Sequence, residues 1–317
     1  METKNEIEKK GEKDIDYSEK FKDMVISKFT QNVGEVSLNN FQKRLAQNYF
    51  IAIDAALKMA ENKRNKNNFS NPAGTKYHND LAYLWKNINY NGLPELVVAN
   101  ARIGLDPAVK NHISFIFYKN NALKKYDVAF REGYAGIELK AKKYGLDVPD
   151  SVICEIVYSK DEFIPIKKTP ENRIEGYNFN ILSPFDRGDI IGGFYYYEYV
   201  KEPEKNKLVI FALKDILKRK PKTASAEFWG GEKWNKEDKC KEKIEGWFDE
   251  MCLKTIKRAA YGAITIDSQK IDSEYLLIKQ REEEFSEYEK ENIIEAVPTS
   301  AADFLKGENE GDNEKAE

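Results

Sequence analysis

Two groups of residues in this chain have types and spacings that chemistry could use. The first is Asp127, Glu138 and Lys140, which read D-x10-E-x-K. In metal-dependent nucleases two carboxylates at such a spacing hold Mg²⁺ and the lysine aids the attacking water. Those enzymes place the E-x-K on a strand, whereas here Tyr134, Ile137, Ala141 and Tyr144 recur at helical steps around it. On a helix, residues two apart point about 200° away from each other, so Glu138 and Lys140 would not share one ion. A nuclease therefore stands as the alternative reading. The second group is Lys243, Trp247, Lys254, Arg258 and Tyr261, at steps of four, seven, four and three. That spacing stacks them along one stripe of a helix. Cations interleaved with aromatics suit single-stranded nucleic acid, because ammonium and guanidinium groups meet phosphates while rings accept unstacked bases. The competing interpretation puts Trp247 and Tyr261 in the core, with cations that only solvate the helix.

Other chemistries find little support. No GxxxxGK[ST] phosphate loop occurs, which argues against a RecA-like ATPase. The two histidines, His78 and His112, stand apart in the chain. Cys154, Cys240 and Cys252 form no CxxC pair and suggest free thiols rather than a disulfide framework or zinc site. No apolar run approaches the ~18 residues of a membrane span, and the first residues are charged where a signal peptide would be apolar. A soluble cytosolic protein, with no membrane partner, is the expectation.

The net charge of −3 conceals an uneven distribution. Residues 272–317 hold 15 acidic and 5 basic side chains, leaving 46 basic and 39 acidic before them. A basic body with an acidic tail is the asymmetry of many nucleic-acid-binding proteins.

The elements that must position these residues follow from periodicity. Apolar spacing predicts helices over 17–33 and 37–61, the second capped by Ser37 and carrying Phe41, Leu45, Tyr49, Ile53 and Leu57. Residues 62–76 have loop composition. Helices are predicted around 79–88 and over 93–101, the latter closed by Gly104. From His112 the pattern alternates as two strands around an Asn120-Asn121 turn, followed by a helix ending at Gly145. Residues 151–213 hold the strand-like runs SVICEIVY, IIGGFYYYEYV and KLVIFAL, and a last helix is expected over 239–266. Within it Phe248, Cys252, Thr255, Ile256, Ala259 and Ala263 supply a packing face. The fold class is α+β: a β-hairpin or small antiparallel sheet packed with several helices, flanked by disordered tails.

Three motifs in order carry a resemblance. NGLPELVVANARIGLDPAVKNHISFIFYKN, then YDVAFREGYAGIELKAKKYG, then DEMCLKTIKRA look like the RecT family of phage single-strand annealing recombinases. In that family an apolar strand closes on a Tyr-Lys pair, here Tyr118-Lys119. A later helix carries M-x-x-K-T-x-x-R, here Met251, Lys254, Thr255 and Arg258. The match spans 93–267, although the Gly-Tyr-Lys-Gly of the family is Gly133-Tyr134-Ala135-Gly136 in this chain. The resemblance implies ATP-independent single-stranded DNA binding and annealing in phage-type homologous recombination, through a homo-oligomeric ring or filament. No catalytic residue, metal or cofactor is required. The expected partners are single-stranded DNA and the annealed duplex intermediate, with a phage exonuclease and the host single-strand-binding protein meeting the C-terminal tail. The candidate DNA-binding residues are Lys119, Arg131, Lys140, Lys143, Lys243, Trp247, Lys254, Thr255, Arg258 and Tyr261. The expected organisation is an N-terminal segment 1–35 used in subunit contacts, an annealing core over 36–271, and an acidic, mostly disordered tail over 272–317.

Overall fold

The computed structural model describes residues 16–31, 40–75, 77–221, 224–235 and 240–291. Ser37 as a helix cap, the first residues of the chain and everything after Glu291 lie outside them. In chain order the elements are α1 (Tyr17–Gln31), α2 (Asn40–Ser70), α3 (Leu93–Ile103), β1 (Ile113–Asn120), β2 (Lys125–Glu132) and α4 (Tyr134–Tyr144). Next come β3 (Ser151–Tyr158), β4 (Glu162–Ile166), β5 (Gly176–Asn180), β6 (Ile190–Glu198), β7 (Lys207–Ala212), α5 (Leu213–Leu217) and α6 (Ala226–Trp229). The last are β8 (Gly231–Asn235), β9 (Cys240–Ile244), α7 (Phe248–Gly262) and α8 (Ser273–Glu291). The architecture is mixed α+β with small antiparallel sheets, as expected. The expectation was one core over 36–271; the described residues group into two compact units, one of residues before 137 together with 272–291, the other within 137–271.

In the first unit α2 buries the predicted stripe of Leu45, Tyr49, Ile53 and Leu57. The Tyr49 hydroxyl, deep in this core, donates to the Leu105 carbonyl at 2.7 Å and so satisfies its polar end. Helix α2 continues to Ser70, through residues that composition assigned to a loop. Arg64 is fastened there to Glu61 and donates to the Asn79 carbonyl, so side-chain bonds offset the weak propensity of the Asn-rich end. The helix predicted around 79–88 is absent apart from one tight turn at Trp85–Asn87. Asn79 accepts from the Leu81 amide and Asn87 donates to the Ala82 carbonyl. These local bonds compete with a helical ladder. Trp85 then stacks on Phe50 at 4.9 Å. Helix α3 stops at Gly104, whose φ of 96° only glycine adopts without strain.

Strands β1 and β2 pair in the expected hairpin, with Lys119 opposite Tyr126 and Ser114 opposite Arg131. Helix α8 packs on α3 and β2, which corrects the expected disordered tail for its first part. Ile278 is buried, the Phe285 ring stacks on Tyr118 at 5.7 Å, and Arg102 Nη1 meets Glu274 Oε1 at 2.6 Å. The three contacts lie along one face of a helix rich in glutamate, and that acidity masked its apolar periodicity.

In the second unit the sheet order is β3–β6–β7, all antiparallel, formed by the three predicted runs. Strand β6 is covered on both faces. Tyr195 and Tyr197 pack with Cys252, Ile256 and Ala260 of α7, while Phe194 and Tyr196 pack with Phe163, Tyr177 and Phe179 of the β4–β5 hairpin. Double-sided burial is why the run reads Phe-Tyr-Tyr-Tyr rather than alternating with polar residues. The helix expected over 239–266 is shorter, because Cys240–Ile244 pairs with Gly231–Asn235 as a hairpin. The chain then turns through Gly246 at φ 66°, and a residue held there cannot continue a helix.

Candidate nucleic-acid interface

In the first unit the two predicted cations lie on neighbouring strands and are engaged by polar neighbours. Lys119 Nζ donates to Asn79 Oδ1 at 3.3 Å, and Arg131 Nη2 reaches the Tyr118 hydroxyl at 3.4 Å. Tyr118 is only 2% exposed, so its ring lies beneath Phe285 and is closed to a base. Asp127, on β2, is held by two side-chain amides. Its two oxygens accept from the Asn89 amide at 2.7 Å and the Asn120 amide at 2.9 Å.

In the second unit α4 is helical over Glu138 and Lys140. Glu138 accepts from Lys142 at 2.6 Å and from the Tyr261 phenol. Glu138 and Lys140 point to different sides of this helix, and the Glu138 carboxylate already accepts from Lys142, so the two do not face one ion. Among the described residues no group of three or more His, Cys, Asp or Glu side chains gathers as a metal cage. Burial pushes the Cys154 thiol up to about 12 and the Cys252 thiol up to about 11, which disfavours their thiolate forms.

Helix α7 separates two kinds of side chain. Cys252, Ile256 and Ala260 are buried at four-residue steps against the sheet. Ala260 extends the predicted packing face, while Ala263 lies exposed beyond it. On the other side Lys254 is half-buried and Arg258 exposed, one turn apart, and Trp247 stands at the N-terminal end of the helix with 61% of its surface in solvent. Lys254 Nζ lies 3.8 Å from Glu250, a loose pair that a phosphate can replace. Asp249, in the first turn, is turned to the Tyr158 hydroxyl at 2.9 Å.

Two residues of the predicted stripe, Lys243 and Tyr261, and the candidate contact Thr255 behave differently. Lys243 lies on β9, opposite Glu232, because the chain is a strand there. The stripe therefore begins at Trp247. Tyr261 packs at the edge of the core, where burial and the neighbouring Glu138 carboxylate push its phenol well above the ordinary range. It serves as a packing residue rather than as a stacking surface. Thr255 spends its hydroxyl on the Met251 carbonyl of its own helix at 2.8 Å. On α4, Lys140 is half-buried, while Lys143 is exposed with Nζ 4.8 Å from the Tyr144 ring.

The sequence reading passed over Arg219, Lys220, Phe228 and Trp229. Arg219 lies 5.3 Å from the Phe211 ring centre and Lys220 lies 5.7 Å from that of Trp229. The only local signal was the run Lys218-Arg219-Lys220, one of many in a charge-rich chain. The rings that give it meaning come from elsewhere in the sequence. Compared with protein-family models, with curated proteins and with solved structures, the chain matches none. No helix among the described residues is long and apolar enough to cross a membrane.

Proposed function

We propose that this chain binds single-stranded DNA and anneals complementary strands without nucleotide hydrolysis, as the resemblance of its three ordered motifs to the RecT family implies. The observation that carries the reading is the arrangement on α7. A largely exposed Trp247 and the cations Lys254 and Arg258 occupy the solvent side of a helix whose opposite face is anchored in the core. A rigid base holds the helix, so the cations meet a phosphate chain without much ordering cost. Each neutralised phosphate releases counterions and lowers the repulsion between two strands. Pairing is itself downhill by about 1.4 kcal/mol per base step, so no energy source is needed once the strands meet. Acting as a homo-oligomer in a bacterial cytoplasm, the chain would hold successive segments of one strand for pairing. An exonuclease and the host single-strand-binding protein are the proposed partners of the region after Glu291.

The test is annealing of two complementary labelled oligonucleotides by the full chain, with and without ATP. Annealing should proceed equally in both, and its binding step should weaken steeply between low and moderate salt. A strict ATP requirement, or Mg²⁺-dependent loss of the labelled strand, would reject the proposal.

A further inference from the structure

We propose that the surface carrying Arg219, Lys220, Phe228 and Trp229 is a second contact for single-stranded DNA, distinct from the stripe on α7. The inference rests on the annealing function proposed above and adds where in the second unit a strand is held. Its first support is charge. Several lysines of this unit sit in ion pairs: Lys142 with Glu138, Lys167 with Glu175, Lys205 with Asp147 and Glu202, Lys233 with Glu227. Lys218, next to the patch, pairs with Asp215. Arg219 and Lys220 have no carboxylate within ion-pair distance among the described residues, and their cations lie over rings instead. Cations over rings keep their full charge for an incoming anion, whereas an ion pair must first be broken.

The second support is the aromatic surface beside them. Trp229 stands edge-on to Phe248 at 6.2 Å, and Phe228 is 45% exposed. The backbone fixes this arrangement. Gly230 and Gly246 both adopt φ near 70°, and a side chain at Gly246 would meet the Gly230 amide at 2.6 Å. The turn after Trp229 is therefore pinned against the turn before Trp247. A preformed aromatic rim next to unneutralised cations matches the two needs of a single strand, rings for unstacked bases and cations for the phosphates between them. An acidic protein segment would use the cations but would not need the rings.

Fluorescence anisotropy of a labelled oligothymidylate with the full chain tests this, with the tryptophan emission read in parallel. R219Q/K220Q should lower affinity about tenfold or more and reduce the slope of log K against log salt by about 1.4, the value for two phosphate contacts on a single strand. Phe228→Ala should lower affinity by roughly fivefold or more through lost stacking. Lys160→Gln, on a cation already paired with Asp186, should bind as the unaltered chain does. The thermal melt of R219Q/K220Q is compared with that of the unaltered chain to separate lost folding from lost binding, and the conservative R219K/K220R should restore binding. An abasic strand of equal length should bind more weakly and quench the tryptophans less. If the unaltered chain binds no oligonucleotide, both proposals fail. If it binds and R219Q/K220Q and Phe228→Ala bind equally well with an unchanged salt slope, this proposal alone fails. Equal quenching by polyglutamate of matched charge would also overturn it and assign the surface to an acidic protein segment.

Discussion

Substituting Ile278 by alanine should destabilise the first unit although the residue lies in the acidic region that sequence alone assigns to a tail. Ile278 is 3% exposed and borders Leu96, Asn100 and Phe130 beneath α8. At about 0.8 kcal/mol per buried carbon the lost transfer term is about 2.4 kcal/mol, and the void left behind brings the cost to about 3–4 kcal/mol. For a chain of this size each kcal/mol moves the melting midpoint by about 2–4 °C, so a fall of roughly 6–15 °C is expected. Circular dichroism melts would measure it, and hydrogen exchange on peptides from α3 and β2 would place the loss in the first unit. Two truncations sharpen the comparison. Ending the chain at Ile271 removes α8, strips Arg102 of its Glu274 partner and uncovers Tyr118, so it should melt lower still. Ending it after Glu291 keeps α8 and is the reference for that comparison. An Ile278→Ala melt within 1 °C of the unaltered chain, or a stable chain ending at Ile271, would refute the argument that α8 is part of the folded unit.

Two further outcomes follow from the second unit. Lys254→Ala and Arg258→Ala should each weaken oligonucleotide binding several-fold while changing stability by less than about 0.5 kcal/mol, because solvated cations add little to folding; a variant that unfolds, or binds unchanged, marks the stripe as structural. Asp161 is closed to solvent and accepts from Arg187 at 2.5 Å, which holds its carboxyl below the ordinary range despite burial. Its folded value being depressed, the pair's stabilisation is present above the unfolded carboxylate value of about 3.9 and is lost as pH falls through the folded one. Asp161→Asn should therefore cost about 2–3 kcal/mol at pH 7, and its melt should converge on that of the unaltered chain as pH falls below about 3.9; a constant difference across that range would refute the assignment.

Local signals in the sequence determined the elements whose reasons are local. The β1–β2 hairpin follows from alternation around a turn, the end of α3 from a glycine that can take a positive φ, and β3, β6 and β7 from runs of β-branched and aromatic residues. On α7 the four-residue recurrence of small and apolar side chains marked the packing face, and Lys254 and Arg258 were correctly left outside it. Tertiary structure decided what depends on partners distant in the chain. Helix α8 is held by Arg102, Tyr118 and a cleft on α3, none of which its own composition reveals, so its net acidity read as a tail. Lys243 leaves the stripe because Glu232 and its neighbours recruit the segment into a hairpin, and strand pairing of this kind is non-local. Tyr261 packs against a core cluster of sheet and α7 residues that only the folded chain brings together. Arg219 and Lys220 were ordinary members of a charged run until Phe211 and Trp229 were brought beneath them. A cation's role is set by what lies within about 6 Å of it, and for these residues only the folded chain decides that.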